Sequence, residues 1–162
     1  MKHFKFLICL MLLVSICAIC ACAKNNPMDM EEMDEIMMST QPLIQMNSLY
    51  VYEINQGYLV SIEEQPKHKY VLFDINRQVC FYNDIELIDD GYFSQTLGND
   101  FDSVQELIGK PHVDVGSGFF IPAYITKDAY LISFGLESNK VVYIGKTDLF
   151  SNEIIEKWVC QD

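Results

Sequence analysis

Six cysteines and three histidines are the residues of this chain best suited to chemistry, and their positions decide most of what that chemistry would be. Cys22 closes the stretch Ile19-Cys20-Ala21-Cys22. An aliphatic residue, a spacer, a small residue and then a cysteine is the order that lipoprotein processing needs, and the thiol is the group that takes a diacylglycerol. A cysteine as the spacer is unusual but compatible. Upstream, Lys2 and Lys5 make a positive start, and Phe6–Ile19 is almost wholly apolar. That run is short for a membrane span and right for the core of a signal sequence. We read residues 1–21 as a lipoprotein signal peptide and Cys22 as the lipidated first residue. Ordinary cleavage after Ala21 or Ala23, or an uncleaved anchor, is the competing reading. Two acyl chains, palmitate among them, would hold the protein stably on a membrane, where one would not. The expectation is a bacterial protein, lipid-anchored on the extracytoplasmic face of the cell membrane.

The other reactive residues give less. Cys9, Cys17 and Cys20 would leave with the signal peptide, so Cys80 and Cys160 remain. An oxidising compartment permits a disulfide between them. Equally, Cys80 lies in the apolar run Val79–Tyr82 and reads as a small buried hydrophobe. His68 and His112 also remain. A Cys/His nucleophilic pair needs an orienting third group, and no spacing here supplies one. His112-x-Asp114 has the look of a metal-ligand pair without a partner cluster. Asp100-x-Asp102 resembles the start of a calcium loop, but the glycine and the closing glutamate are misplaced, so helix capping fits better. Gly116-Ser117-Gly118 has neither the helix start nor the lysine of a phosphate-binding loop. Glu63-Glu64 and Asp89-Asp90 are sequence neighbours, which in a strand point to opposite faces and cannot work as an acid–base pair. Met28, Met30, Met33, Met37 and Met38 would suit Cu(I). They are interleaved with carboxylates and have no nearby histidine or cysteine, so a solvated linker with a nascent helix fits better. No catalytic residue, metal site or cofactor is assigned.

The elements that would position these residues follow from the chain order. Residues 22–47 read as the lipidated cysteine and an acidic, methionine-rich tether, and residues 48–162 as one domain. The net charge is −12, and loss of Lys2 and Lys5 would make it two units more negative. So acidic a chain argues against nucleic acid and against charge-driven binding to anionic lipid. Leu49–Ile54, Tyr58–Ile62, Lys69–Ile75 and Gln78–Tyr82 are rich in Val, Ile, Tyr and Phe and are separated by Asn55-Gln56-Gly57, Pro66 and Asn76-Arg77, which suits an antiparallel meander. Their aromatic residues could stack on glycans, but the core is the better reading. Val104, Leu107 and Ile108 form one helical stripe that Gly109 and Pro111 end, with Asp100, Asp102 or Ser103 as its cap. Phe119–Ile125, Ala129–Phe134 and Val141–Ile144 follow as strands. Ile154 with Trp158, and Ile155 with Val159, suggest a short terminal helix, an edge strand being the alternative. The expected fold is α+β, a mostly antiparallel sheet with one or two short helices.

Residues Leu107, Ile108, Gly109, Lys110, Pro111, Gly116, Gly118, Tyr124, Lys140, Val141 and Val142 carry a resemblance. A short helix ending in L-I-G-K-P, a G-S-G loop and strands closing on K-V-V resemble the small α+β domains of SmpA/OmlA outer-membrane lipoproteins and β-lactamase-inhibitor-like proteins. The resemblance covers residues 98–146. It implies a non-enzymatic module that binds proteins. The expectation is therefore a binding or scaffolding lipoprotein with an envelope protein as partner. A small cell-wall enzyme assembled from scattered acids, or a metal- or ligand-binding accessory lipoprotein, is the alternative. The loop bearing His112, Asp114, Ser117 and Phe119 is the candidate contact surface, because loops on a rigid scaffold carry recognition.

Overall fold

The computed structural model describes residues 28–64 and 67–160. The stretch read as a signal peptide, and Cys22, lie outside them. The chain divides into two units, Met1–Met33 and Asp34–Asp162. Asp29 opens helix α1 (Met30–Ser39), whose residues fall on both sides of that division: its Oδ1 accepts the Glu32 N–H at 2.8 Å, satisfying a donor that the first helical turn leaves unpaired. Among the described residues no helix is long and apolar enough to cross a membrane.

The second unit is mixed α+β and mostly strands. Its first sheet is a meander of β1 (Ile44–Met46), β2 (Leu49–Ile54), β3 (Gly57–Ile62), β4 (Lys69–Asp74) and β5 (Val79–Asn83), antiparallel and in chain order. The sheet thus begins inside the stretch read as a tether. A two-residue turn, with Asn47 at φ 48°, lets Met46 pair with Leu49, and asparagine tolerates that left-handed backbone well. The β4–β5 turn is built by Asp74, whose Oδ1 accepts N–H bonds from Asn76 and Gln78. The strand therefore ends at Asp74, and Ile75 is left in the exposed turn.

A second five-stranded antiparallel meander comprises β6 (Val113–Asp114), β7 (Pro122–Ile125), β8 (Tyr130–Glu137), β9 (Lys140–Asp148) and β10 (Ile154–Val159). A 3-10 helix (Asp90–Thr96) and helix α2 (Phe101–Ile108) precede it. Alternate residues of β7 serve two cores. Ala123 and Ile125 join Val51, Val60, Val71 and Phe73 of the first sheet, while Tyr124 joins Phe93, Phe101 and Val104 of the helical segments. At β7 the second sheet is therefore covered on both faces, which is why all of Pro122–Ile125 is apolar and buried, while edge strand β10 is mostly exposed. An extra residue, Val142, faces no partner in β8, so Val141 and Ile144 both reach the helical side.

Two expectations are corrected. Phe119–Ile125 is not one strand: only Pro122–Ile125 pairs, and the phenylalanines sit in a loop. Of the three expected caps for helix α2, which starts at Phe101, Asp100 takes the N-cap position, without a side-chain capping bond. Gly109 ends it as expected, at φ 87° with its N–H on the Gln105 carbonyl. The C-terminal segment is edge strand β10, not a helix. Its β-branched Ile154, Ile155 and Val159 favour a strand, and pairing with β9 outweighs the helical spacing.

Candidate functional site

The β6–β7 hairpin carries every candidate contact residue. Its loop is built by Asp114. The Oδ1 of that carboxylate accepts the Gly116 N–H and the Ile121 N–H, both at 2.9 Å, and Val115 N–H donates to the Ile121 carbonyl at 3.0 Å. The Asp114 carbonyl accepts Asn47 Nδ2 at 2.9 Å, tying the loop to the β1–β2 turn. Gly116 is required here, since a Cβ would run into the Phe119 carbonyl oxygen. Gly118 takes a positive φ of 93°, where other residues are strained.

His112 fixes the base of the hairpin. Its Nδ1 accepts the Ile125 N–H at 2.8 Å, so the proton sits on Nε2, which donates to the Glu86 carbonyl at 3.0 Å. Burial pushes its pKa down to about 4, the Glu86 bond opposing this and the charge of Lys69 adding to it. The imidazole is thus a neutral bracket between segments far apart in sequence.

On this frame the side chains divide. His112 and Asp114 are turned to structural work, Ser117 is exposed, and Phe119 is 83% exposed. Phe120 is 56% exposed and meets Phe101 edge-on, with ring centroids 6.4 Å apart. Beside Phe120 runs an open groove of about 260 Å3, lined by Ile62, Glu63, Glu64, His112 and Asp114 among others. The Glu63 backbone is held by its N–H bond to the Ser48 carbonyl, and its carboxylate accepts the Tyr50 hydroxyl at 3.3 Å. Glu64 pairs with Lys69. Of the residues lining this groove, Phe120 was not singled out by sequence spacing, and Glu63-Glu64 was weighed only as an acid–base pair. The paired phenylalanines after a glycine loop were a usable signal, but they were read as strand.

The other candidates do not converge on this hairpin. Cys80, on edge strand β5, and Cys160, after edge strand β10, are both free thiols. Asp102 accepts Asn139 Nδ2 at 3.0 Å and so ties α2 to the β8–β9 turn. The Nδ1 of His68 is buried with no hydrogen-bond partner among the described residues. Among the described residues no grouping of three or more His, Cys, Asp and Glu side chains could hold a metal ion. No family model matches this chain, and no curated protein or solved structure matches it either.

Proposed function

We propose that this chain is a non-enzymatic binding or scaffolding module. In this reading Cys22 anchors it by a diacylglycerol to the extracytoplasmic face of a bacterial membrane, and it engages an envelope protein through the β6–β7 hairpin. The observation that carries the reading is Phe119, 83% exposed beside the half-exposed Phe120, on a loop whose backbone Asp114 holds from within. Single exposed apolar residues are ordinary, but two adjacent aromatic rings on a pre-organised loop are not. Rigid aromatic side chains lose little entropy on contact and dominate binding energy where they are buried by a partner. The resemblance of residues 98–146 to SmpA/OmlA-type domains points the same way.

Crosslinking in the native membrane, followed by capture of the tagged chain and mass spectrometry, tests this. One recurrent envelope protein, lost when residues 112–119 are replaced by a glycine–serine loop, is the expected result. Repeated capture of no protein would overturn the reading. The anchor is tested separately by the intact mass of the mature chain: an unmodified chain starting at Cys22 or Lys24 would remove it.

A further inference from the structure

We infer that the groove beside Phe120 receives a lysine or arginine side chain of the partner protein, with a neighbouring apolar residue of that partner lying on Phe119. The inference rests on the binding-module reading and adds the chemistry of the partner. Three features of the groove support it. Its volume, about 260 Å3, is below the ~300–1,000 Å3 of sites that enclose a small molecule, and it is open, so it suits one long side chain. One wall is the half-exposed ring of Phe120, which meets Phe101 edge-on. A guanidinium or ammonium group is attracted to such a ring, and its alkyl stem packs on it.

The charge in the groove is negative. Glu63, Glu64 and Asp114 line it, and Lys69 pairs with only one of them, Glu64. His112 adds no positive charge at neutral pH, because both ring nitrogens are engaged with backbone groups and the ring is held neutral. Glu63 is exposed, its carboxylate is held among the described residues by the long bond from Tyr50, and its backbone N–H is bonded to Ser48, so it can take a cation without rearranging the chain. The whole chain, at net charge −12, steers basic partners in the same sense. An anionic membrane surface is repelled by the same charges.

The test uses the full-length chain and a phage-displayed library of random dodecapeptides, with counter-selection on the Phe119→Ala variant. The expected outcome is enrichment of Lys or Arg next to an apolar residue. A selected peptide should then lose about tenfold in affinity for the Glu63→Gln variant, the scale of one charged contact. It should bind the Glu137→Gln variant, altered at an exposed carboxylate that does not line the groove, as tightly as the parent chain. Loss on both variants to the same degree would show charge attraction at a distance and overturn the assignment. Enriched peptides without basic residues, still dependent on Phe119, would overturn it while leaving the binding module standing. No enrichment, with Phe119-dependent binding to phosphatidylethanolamine–phosphatidylglycerol vesicles instead, would overturn it in favour of a membrane-inserting tip. No binding to either probe would overturn it as well.

Discussion

Two loops of this protein are built by the same device and end in opposite places. Asp114 uses one carboxylate oxygen to hold the N–H groups of Gly116 and Ile121, and Asp148 uses one to hold those of Phe150 and Ser151. The Asp148 loop turns its phenylalanine inward. Phe150 stacks on Tyr58 with ring centroids 3.9 Å apart, meets Phe73 edge-on at 5.4 Å, and is covered by the Arg77 guanidinium, which also pairs with Asp148. It thereby joins the two sheets. The Asp114 loop turns Phe119 and Phe120 outward. An aspartate-bound turn alone thus does not decide where its aromatic residue goes. What lies beneath decides it, and under Phe119 there is solvent. The protein evidently can bury a loop phenylalanine, which makes the exposed pair the more informative of the two.

The largest effect is expected at Phe150. Phe150→Ala should cost about 3–5 kcal/mol, the range for emptying an aromatic site in a core, measured as a shift in urea midpoint at unchanged slope. A loss below about 1 kcal/mol would mean that the inter-sheet contact is not a real part of the core.

Acid should act next, through the base of the other loop. Burial holds the folded-state pKa of His112 at about 4, below the ordinary imidazole value of 6.5. Between these values the unfolded chain binds more protons than the folded one, so stability rises with pH across that window. It is fully present above 6.5 and lost as pH falls to about 4, an effect of up to about 3 kcal/mol. Burial raises the Asp148 pKa, but Arg77 and the Ser151 and Phe150 N–H groups outweigh it and hold the carboxyl below its ordinary range. The Asp148 contribution is therefore present above the ordinary carboxylate pKa and lost below it. Urea unfolding from pH 7 to pH 3 should show both losses in that order. The His112→Gln variant should be flat between 6.5 and 4; an unchanged slope in that variant would assign the loss elsewhere.

The aspartates themselves should rank between these effects and the exposed ring. Asp114→Ala leaves two N–H groups unpaired and should cost about 1–2 kcal/mol; Asp148→Ala should cost more, because Arg77 also loses its partner. The double cycle with Arg77→Ala measures that excess, and a coupling near zero would reduce the pair to an ordinary surface contact.

Much of the first sheet was legible because its strands alternate between turn residues that act locally: Asn55, Gly57, Asn76 and Arg77 each shape the chain within a few residues, whereas the Asn47 turn was hidden in the stretch read as a tether. Helix α2 was legible for the same reason, from its stripe and Gly109. The tip was not. Phe119 and Phe120 have strand propensity, and only the reach of Asp114 to Gly116 and Ile121 takes them out of the ladder. The His112 bracket depends on Glu86 and Ile125, at separations of 26 and 13 residues, which no local pattern encodes. The C-terminal spacing suited a helix, yet β9 offered an edge, and pairing is a property of the partner as much as of the segment. Nor does periodicity say which of two sheets a strand joins. The division into two meanders follows from Ile85 to Ile108, which carries the chain across to the second core.

The smallest stability effect is expected where the proposed function lies. Phe119→Ala removes a ring already in solvent, so the folded state loses almost no contacts and stability should stay within about 0.5 kcal/mol of the parent chain. Gly116→Ala is the sharper companion. It keeps both rings but sets a Cβ against the Phe119 carbonyl, so the loop must leave its present geometry. If the hairpin tip is a recognition surface, both variants should lose the captured partner: the first by deleting the contact, the second by misplacing it. Pre-organisation makes this distinction measurable, because a flexible loop would tolerate Gly116→Ala and pay only for the ring. Partner capture retained in Gly116→Ala but lost in Phe119→Ala would show that the ring matters and its fixed placement does not. That result would separate the Asp114 loop from the Asp148 loop in kind: one would be a rigid support, the other only a place where an aromatic side chain reaches solvent.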